Sequence, residues 1–205
     1  MTDILHIPGV GMMSLFFGGS YDEKATRNYW GKMVSKDNGK TWQYTIIEKN
    51  LTKADWPTEH SAVYLGNGKI FAIARTENES FDTNRAQFQI ISYDNGETWS
   101  RARTNITDVR ISTPSLVYDK ENNLLYNYYY QRGRGILHCR VADMDYIWDK
   151  PLAWSTPETV FIGSDDYIEA GNVNVTFAGK THYVSFYSGT MPNVAVKLGV
   201  VKRDK

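Results

Sequence analysis

Cysteine is almost absent from this chain. Cys139 is the only one in 205 residues, which excludes an intrachain disulfide framework and a cysteine-based zinc cage. Histidine is nearly as sparse, at His6, His60, His138 and His182, scattered without a metal-ligand spacing. We therefore expect neither a metal nor a cofactor, and read His6, His60 and His138 first as structural histidines. Charge of one sign is lacking as well: 23 Lys+Arg stand against 23 Asp+Glu, for a formal net charge of +0. No whole-molecule field steers the chain to nucleic acid or to an anionic membrane, and neither is expected as a partner. Long apolar runs are missing too. The stretch Gly9 to Gly19 is far shorter than a bilayer requires and follows no basic segment, so it reads as a buried strand. Convincing helical periodicity is absent throughout, which excludes a parallel sheet covered by crossover helices.

What the chain has is 41% apolar residues, of which aromatics supply a large share, enough for a substantial core and too much for disorder. It also repeats itself. Ser35-Lys36-Asp37-Asn38-Gly39-Lys40-Thr41-Trp42 returns as Ser92-Tyr93-Asp94-Asn95-Gly96-Glu97-Thr98-Trp99. Around each octapeptide, β-branched and aromatic runs alternate with Gly, Asn and Asp turns, the pattern of strands joined by hairpins. In register, the second unit holds strands at Ser61–Leu65, Lys69–Ala74, Gln87–Tyr93 and Thr98–Arg103. The third holds Pro114–Tyr118, Leu124–Tyr130, Ile136–Ala142 and Thr159–Ile162, its octapeptide decayed to Ala142-Asp143-Met144-Asp145 with Trp148. The fourth holds Asn172–Phe177, Thr181–Tyr187 and Val194–Val201.

Repeated four-stranded units predict an all-β fold, a β-propeller in which each blade covers the next. Approximate blades run 1–53, 54–108, 109–164 and 165–205, within a single partial propeller domain. A three-stranded last blade invites an outer strand from the other chain end, for which Asp3 to Ile7 is one candidate. In the octapeptide, Asp37 and Asp94 are expected to accept backbone N–H groups across the turn, and Gly39 and Gly96 to supply positive φ. Trp42 and Trp99 then wedge between blades. Too few acids per loop are available for a hard-cation cage.

The octapeptide Ser-x-Asp-x-Gly-x-Thr-Trp is the Asp-box, and through it the chain resembles the sialidase superfamily of six-bladed propellers, of which about four blades are present here. A second stretch, Glu59-His60-Ser61-Ala62-Val63-Tyr64 through Ile73-Ala74-Arg75-Thr76, is similar to the sialidase segment where a Glu opens an inner strand and an Arg ends the next. A hairpin returns its two ends to one place, so Glu59 and Arg75 should meet. The resemblance implies that Arg75 grips the carboxylate of sialic acid and that Glu59 is the essential acid. It makes Arg134, at the start of the third strand of its unit, the next arginine, with Arg132 as the competing assignment. Converging guanidinium groups give bidentate, charge-assisted bonds that lysine cannot reproduce.

The departures are informative. Exo-acting sialidases carry a nucleophilic Tyr where this chain has Asn172, with Tyr167 just upstream. Retained Glu and arginines without that Tyr resemble the bacteriophage endosialidases that cut polysialic acid. The family's Arg-Ile-Pro is replaced by His6-Ile7-Pro8, although His6 lies only about one repeat before Glu59; the resemblance offers Asp22 as a candidate counterpart of the family's catalytic Asp. The implied function is a glycoside hydrolase, Glu59, Arg75 and Arg134 catalytic and Arg132, Asn172, Tyr167 and His6 binding substrate. Its partners would be sialic-acid-containing glycans or polysialic acid, with remaining blades or further copies completing the ring, and its location extracellular or virion-associated, as on a tailspike. The count of blades implies the C-terminal part of a longer propeller or a shortened relative. Two other functions use the same residues: a silent propeller that binds acidic glycans, as an adhesin does, or plain scaffolding in which Glu59–Arg75 is an ion pair and Arg132 and Arg134 are solvated loop charges. The tyrosines Tyr126, Tyr128, Tyr129 and Tyr130 read as core, and Cys139 as a small buried hydrophobe.

Overall fold

The β-branched and aromatic runs form antiparallel strands throughout. A computed structural model describes residues 3–22, 24–77, 85–110, 112–163, 171–190 and 192–203. The chain divides into two compact units, Met1–Arg103 and Thr104–Lys205, each holding two sheets.

In the first unit, β1 (Leu5–Ile7), β2 (Gly11–Gly18), β3 (Asn28–Ser35) and β4 (Gln43–Leu51) make one meander, and β5 (Pro57–Gly66), β6 (Lys69–Thr76), β7 (Phe88–Ser92) and β8 (Ser100–Arg103) the next. The Gly9 to Gly19 stretch is indeed a strand, with Met13 and Leu15 buried. One core joins the two sheets: Leu5, Met13, Leu15 and Trp30 of the first pack with Ile70, Ala72, Phe88 and Ile90 of the second. Strand β6 is buried on both faces, which explains why Lys69–Ala74 reads as a continuous apolar run rather than an alternation.

In the second unit, β9 (Ser115–Asp119), β10 (Leu124–Gln131), β11 (Ile136–Asp143) and β12 (Glu158–Ile162) form a four-stranded sheet, and β13 (Gly171–Ala178), β14 (Thr181–Thr190) and β15 (Asn193–Lys202) a three-stranded one. Tyr126, Tyr128, Tyr130, Leu137 and Cys139 pack with Val173, Val184 and Phe186. All four tyrosines of the 126–130 run are buried, as expected of core. The helical turns include α1 (Met144–Ile147) and a 3-10 turn at Lys53–Asp55. The first occupies the decayed third Asp-box, where Asp143 still accepts a backbone N–H, from Asp145 at 2.9 Å.

The two intact boxes are the same object twice. Asp37 accepts the Thr41 N–H (2.8 Å) and hydroxyl (2.6 Å), and Trp42 Nε1 donates to the Gly39 carbonyl. Asp94, Thr98, Gly96 and Trp99 repeat these bonds. Donation from the Thr41 side chain and backbone pulls the Asp37 carboxyl down to about 2. Gly39 and Gly96 adopt φ of 86° and 82°, and the preceding Asn38 and Asn95 are left-handed too, a pair of positive-φ residues where glycine alone was expected. Trp99 packs edge-on to Trp30 of the neighbouring blade, and Lys32 reaches across to the Gly96 carbonyl at 2.6 Å.

One expectation is corrected. Leu5–Ile7 does not serve the last blade as its outer strand but pairs with β2. The Asp3 carboxylate accepts the Ser61 hydroxyl and the Ala62 N–H, both at 2.8 Å, which anchors the segment to the second blade.

Candidate functional site

In β5 the register with β6 runs Thr58 to Arg75, then His60 to Ala74, which leaves Glu59 as an extra residue in a bulge. Its φ is 42°, a left-handed conformation that L side chains avoid. Bulges re-aim side chains, and this one turns the Glu59 carboxylate onto the end of β6. Glu59 Oε2 lies 2.6 Å from Arg75 Nη1, so the expected pair is formed.

A third member was not anticipated. Arg75 Nη2 donates to Glu77 Oε2 at 3.0 Å, and the Thr58 hydroxyl donates to the other oxygen of Glu77. Strand alternation puts Arg75 and Glu77 on one face, so the signal was in the sequence. The side chains differ in access: Glu77 is 3% exposed, Arg75 12% and Glu59 24%. Burial opposes the charge on Arg75, but attraction to Glu59 and Glu77 outweighs it and raises its pKa. Glu77 thus reads as the buried holder of Arg75, and Glu59 as the carboxylate that reaches outward. Tyr21, in the loop between β2 and β3, was also missed, since its nearness depends on long-range folding. Burial, Glu77 and Glu59 raise its phenol pKa while Arg75 lowers it, which places it within electrostatic reach of all three. Asp22, beside it, is exposed and accepts the Lys24 N–H at 2.8 Å.

His6 is not brought to this cluster. It pairs with Met12, whose other neighbour is Ser35 of the first Asp-box, and lines a depression with Met12, Ser35 and Asn38. That is the box end of its blade. The Glu59 and Arg75 end is the opposite one, because Ile70, not Arg75, sits across from Ser92. His60 is buried in the core with its ring 5.7 Å from Trp30, and is no ligand.

In the second unit the two arginines part company. Arg134 is exposed in the turn between β10 and β11, where its N–H closes the turn onto the Gln131 carbonyl at 3.2 Å. Arg132 instead reaches the last blade: its Nη2 donates to the Tyr187 hydroxyl at 3.3 Å. Its guanidinium lies over Gly171, where a Cβ would come within 2.9 Å of Nη2. Gly171 has φ of 130°, a backbone conformation that favours glycine. Asn172 follows in a second bulge with φ of 46°, and its Oδ1 accepts from the Thr113 hydroxyl at 3.4 Å. Arg132 and Asn172 are therefore neighbours. Tyr167 lies outside the described residues. No group of three or more His, Cys, Asp or Glu that could hold a metal occurs among the described residues.

The BNR/Asp-box repeat family matches the chain at residues 33–44 and 90–101, the two boxes. No curated protein sequence matches it. The fold is similar to that of Trypanosoma rangeli sialidase in complex with sialic acid (TM-score 0.58, 14% identity), covering 92% of this chain and 29% of that one. The NanB sialidase of Streptococcus pneumoniae gives 0.59 at 15% identity, covering 98% and 31%. The chain carries two Asp-box repeats, and its blades are similar in fold to those of sialidases. It spans less than a third of these sialidases. The propeller is also similar to the α-L-arabinofuranosidase of Lactobacillus brevis, with a TM-score of 0.65 at 12% identity over 99% of this chain and 72% of that one.

Proposed function

We propose that this propeller is the working part of a sialidase-type glycoside hydrolase, acting on sialic-acid-containing glycans or polysialic acid. One observation carries the reading: Glu59 is held in a strained bulge, partly open to solvent and 2.6 Å from Arg75. Strain of this kind, costing on the order of 1–3 kcal/mol, persists where the surrounding structure enforces it, and it clusters at functional sites. Hydrolysis of a glycosidic bond passes through an oxocarbenium-like transition state. Glu59 either activates a tyrosine nucleophile or assists protonation and water attack in a tyrosine-free, endo-acting route. Arg75 grips the carboxylate beside the reacting carbon. An extracellular or virion-surface location goes with such a substrate.

A second reading has its own observation. Arg75 already faces two carboxylates, so the cluster is formally negative and repels a further anion. A hydrolase of neutral glycans fits that charge, and an arabinofuranosidase is among the similar folds. Incubation with sialyllactose, polysialic acid and arabinoxylan, with release of reducing sugar measured, separates the two. The sialidase-type reading expects products from sialyllactose, polysialic acid or both, and none from arabinoxylan. Turnover of arabinoxylan alone supports the neutral-sugar reading, and turnover of none of the three by the chain removes both.

A further inference from the structure

Exposed aromatic rings beside partly buried carboxylates are the chemistry of sugar recognition, in which a ring packs on the apolar face of a pyranose or furanose while polar groups bind its hydroxyls. Tyr21 is such a ring. It is 54% exposed, yet it is not loose. Its ring lies 5.3 Å from that of Trp56, and Trp56 is buried, pinned through Nε1 to the Tyr29 carbonyl at 2.9 Å and wedged edge-on against Phe17. The loop carrying Tyr21 is tied down on both sides: the Ser20 N–H donates to the buried Asn28 side chain at 2.8 Å, and Asp22 holds the Lys24 and Ala25 N–H groups. Trp56 leads directly into Pro57, Thr58 and Glu59, so the stack that supports Tyr21 ends at the bulge that aims the carboxylate.

We propose that Tyr21 is a positioning residue of the glycan site, forming its aromatic wall beside Glu59, Arg75 and Glu77 and donating its phenol hydrogen to a sugar hydroxyl. The proposal rests on the glycan-hydrolase reading but does not depend on which sugar is bound. Two alternatives for Tyr21 are disfavoured. A core role does not need a ring that is half exposed. A phenolate nucleophile does not suit it either, because burial and the nearby Glu77 hold the hydroxyl protonated above its ordinary range, and a phenol is a donor.

The test uses the full chain carrying Glu59→Gln to suppress turnover, with Trp fluorescence titrated against sialyllactose, a polysialic acid oligomer and an arabinoxylan oligosaccharide. Loss of a stacked ring is worth about tenfold in affinity. Tyr21→Ala should therefore raise Kd about tenfold for whichever probe binds, and Tyr21→Phe by a few-fold, roughly one hydrogen bond. In the Glu59-containing chain the same changes should raise KM more than they lower kcat, with the melting temperature unchanged. Unaltered binding on Tyr21→Ala, or no binding of any probe by the parent chain, overturns the proposal. So does abolition of kcat by Tyr21→Phe, which would make the hydroxyl a reacting group. Binding that depends on Tyr21 without release of sugar keeps the wall and removes the hydrolase. Hydrolysis with kinetics indifferent to Tyr21→Ala does the reverse.

Discussion

His60 shows how much one residue can set the response of this chain to acid. It is fully buried, neither ring nitrogen has a hydrogen-bonding partner among the described residues, and desolvation pulls its pKa down to about 3. An unfolded histidine titrates near 6.5, so between those values the unfolded chain binds a proton that the folded chain refuses. Stability is therefore complete above about pH 6.5 and falls as pH drops toward 3. His60→Leu should flatten that fall: thermal melts at pH 7 and pH 5 should differ less in the variant than in the parent. The acidic cluster makes a second residue-level prediction. Removing the buried Glu77 takes the acceptor from the Thr58 hydroxyl and leaves Arg75 with Glu59 alone, so Glu77→Ala should cost about 2 kcal/mol. Glu59→Gln, at a more open position, should cost less than about 1 kcal/mol. Denaturant melts of both variants check the contrast, and equal losses would make Glu59 as structural as Glu77.

At the scale of elements, the Asp-box turns are where sequence and structure agree most closely. Gly96 is left-handed, and a Cβ there would meet Met13 of the adjacent blade at 2.8 Å, so Gly96→Ala should destabilise by about 1–3 kcal/mol through both strain and overpacking. Gly66→Ala, equally left-handed but with open space around it, should lose only the backbone part, and comparing the two melts isolates the packing. Strands were legible because apolar alternation and Gly, Asn and Asp punctuation are local signals; the boxes were legible because an octapeptide repeats. The Glu59–Arg75 pair was legible because a hairpin fixes which residues meet. The bulges at Glu59 and Asn172 were not, since a register slip answers to the packing of both partners. The sequence favoured Arg134 with Arg132 as its competitor; the fold shows that Arg132 is the one bound to Tyr187. The α1 turn was hidden because its four residues are too few to show a period.

At the scale of the whole molecule, the last sheet is the one with three strands, and its edge strand β15 exposes Val196 at 81%, Leu198 at 67% and Val200 at 59%. A long edge with an apolar face is a template for pairing with another chain. The double change Val196→Lys and Leu198→Glu should reduce self-association, measured by light scattering against concentration, without lowering the melting temperature. The functional account rests on the ends of β5 and β6, where a strained carboxylate meets an arginine. It is tested most directly by sugar release from sialyllactose and polysialic acid by the parent chain and by Glu59→Gln at matched folding. The account predicts product from the parent and a loss of at least about a hundredfold in the variant, the usual contribution of a positioned acid–base group. Equal turnover by the two proteins would contradict it.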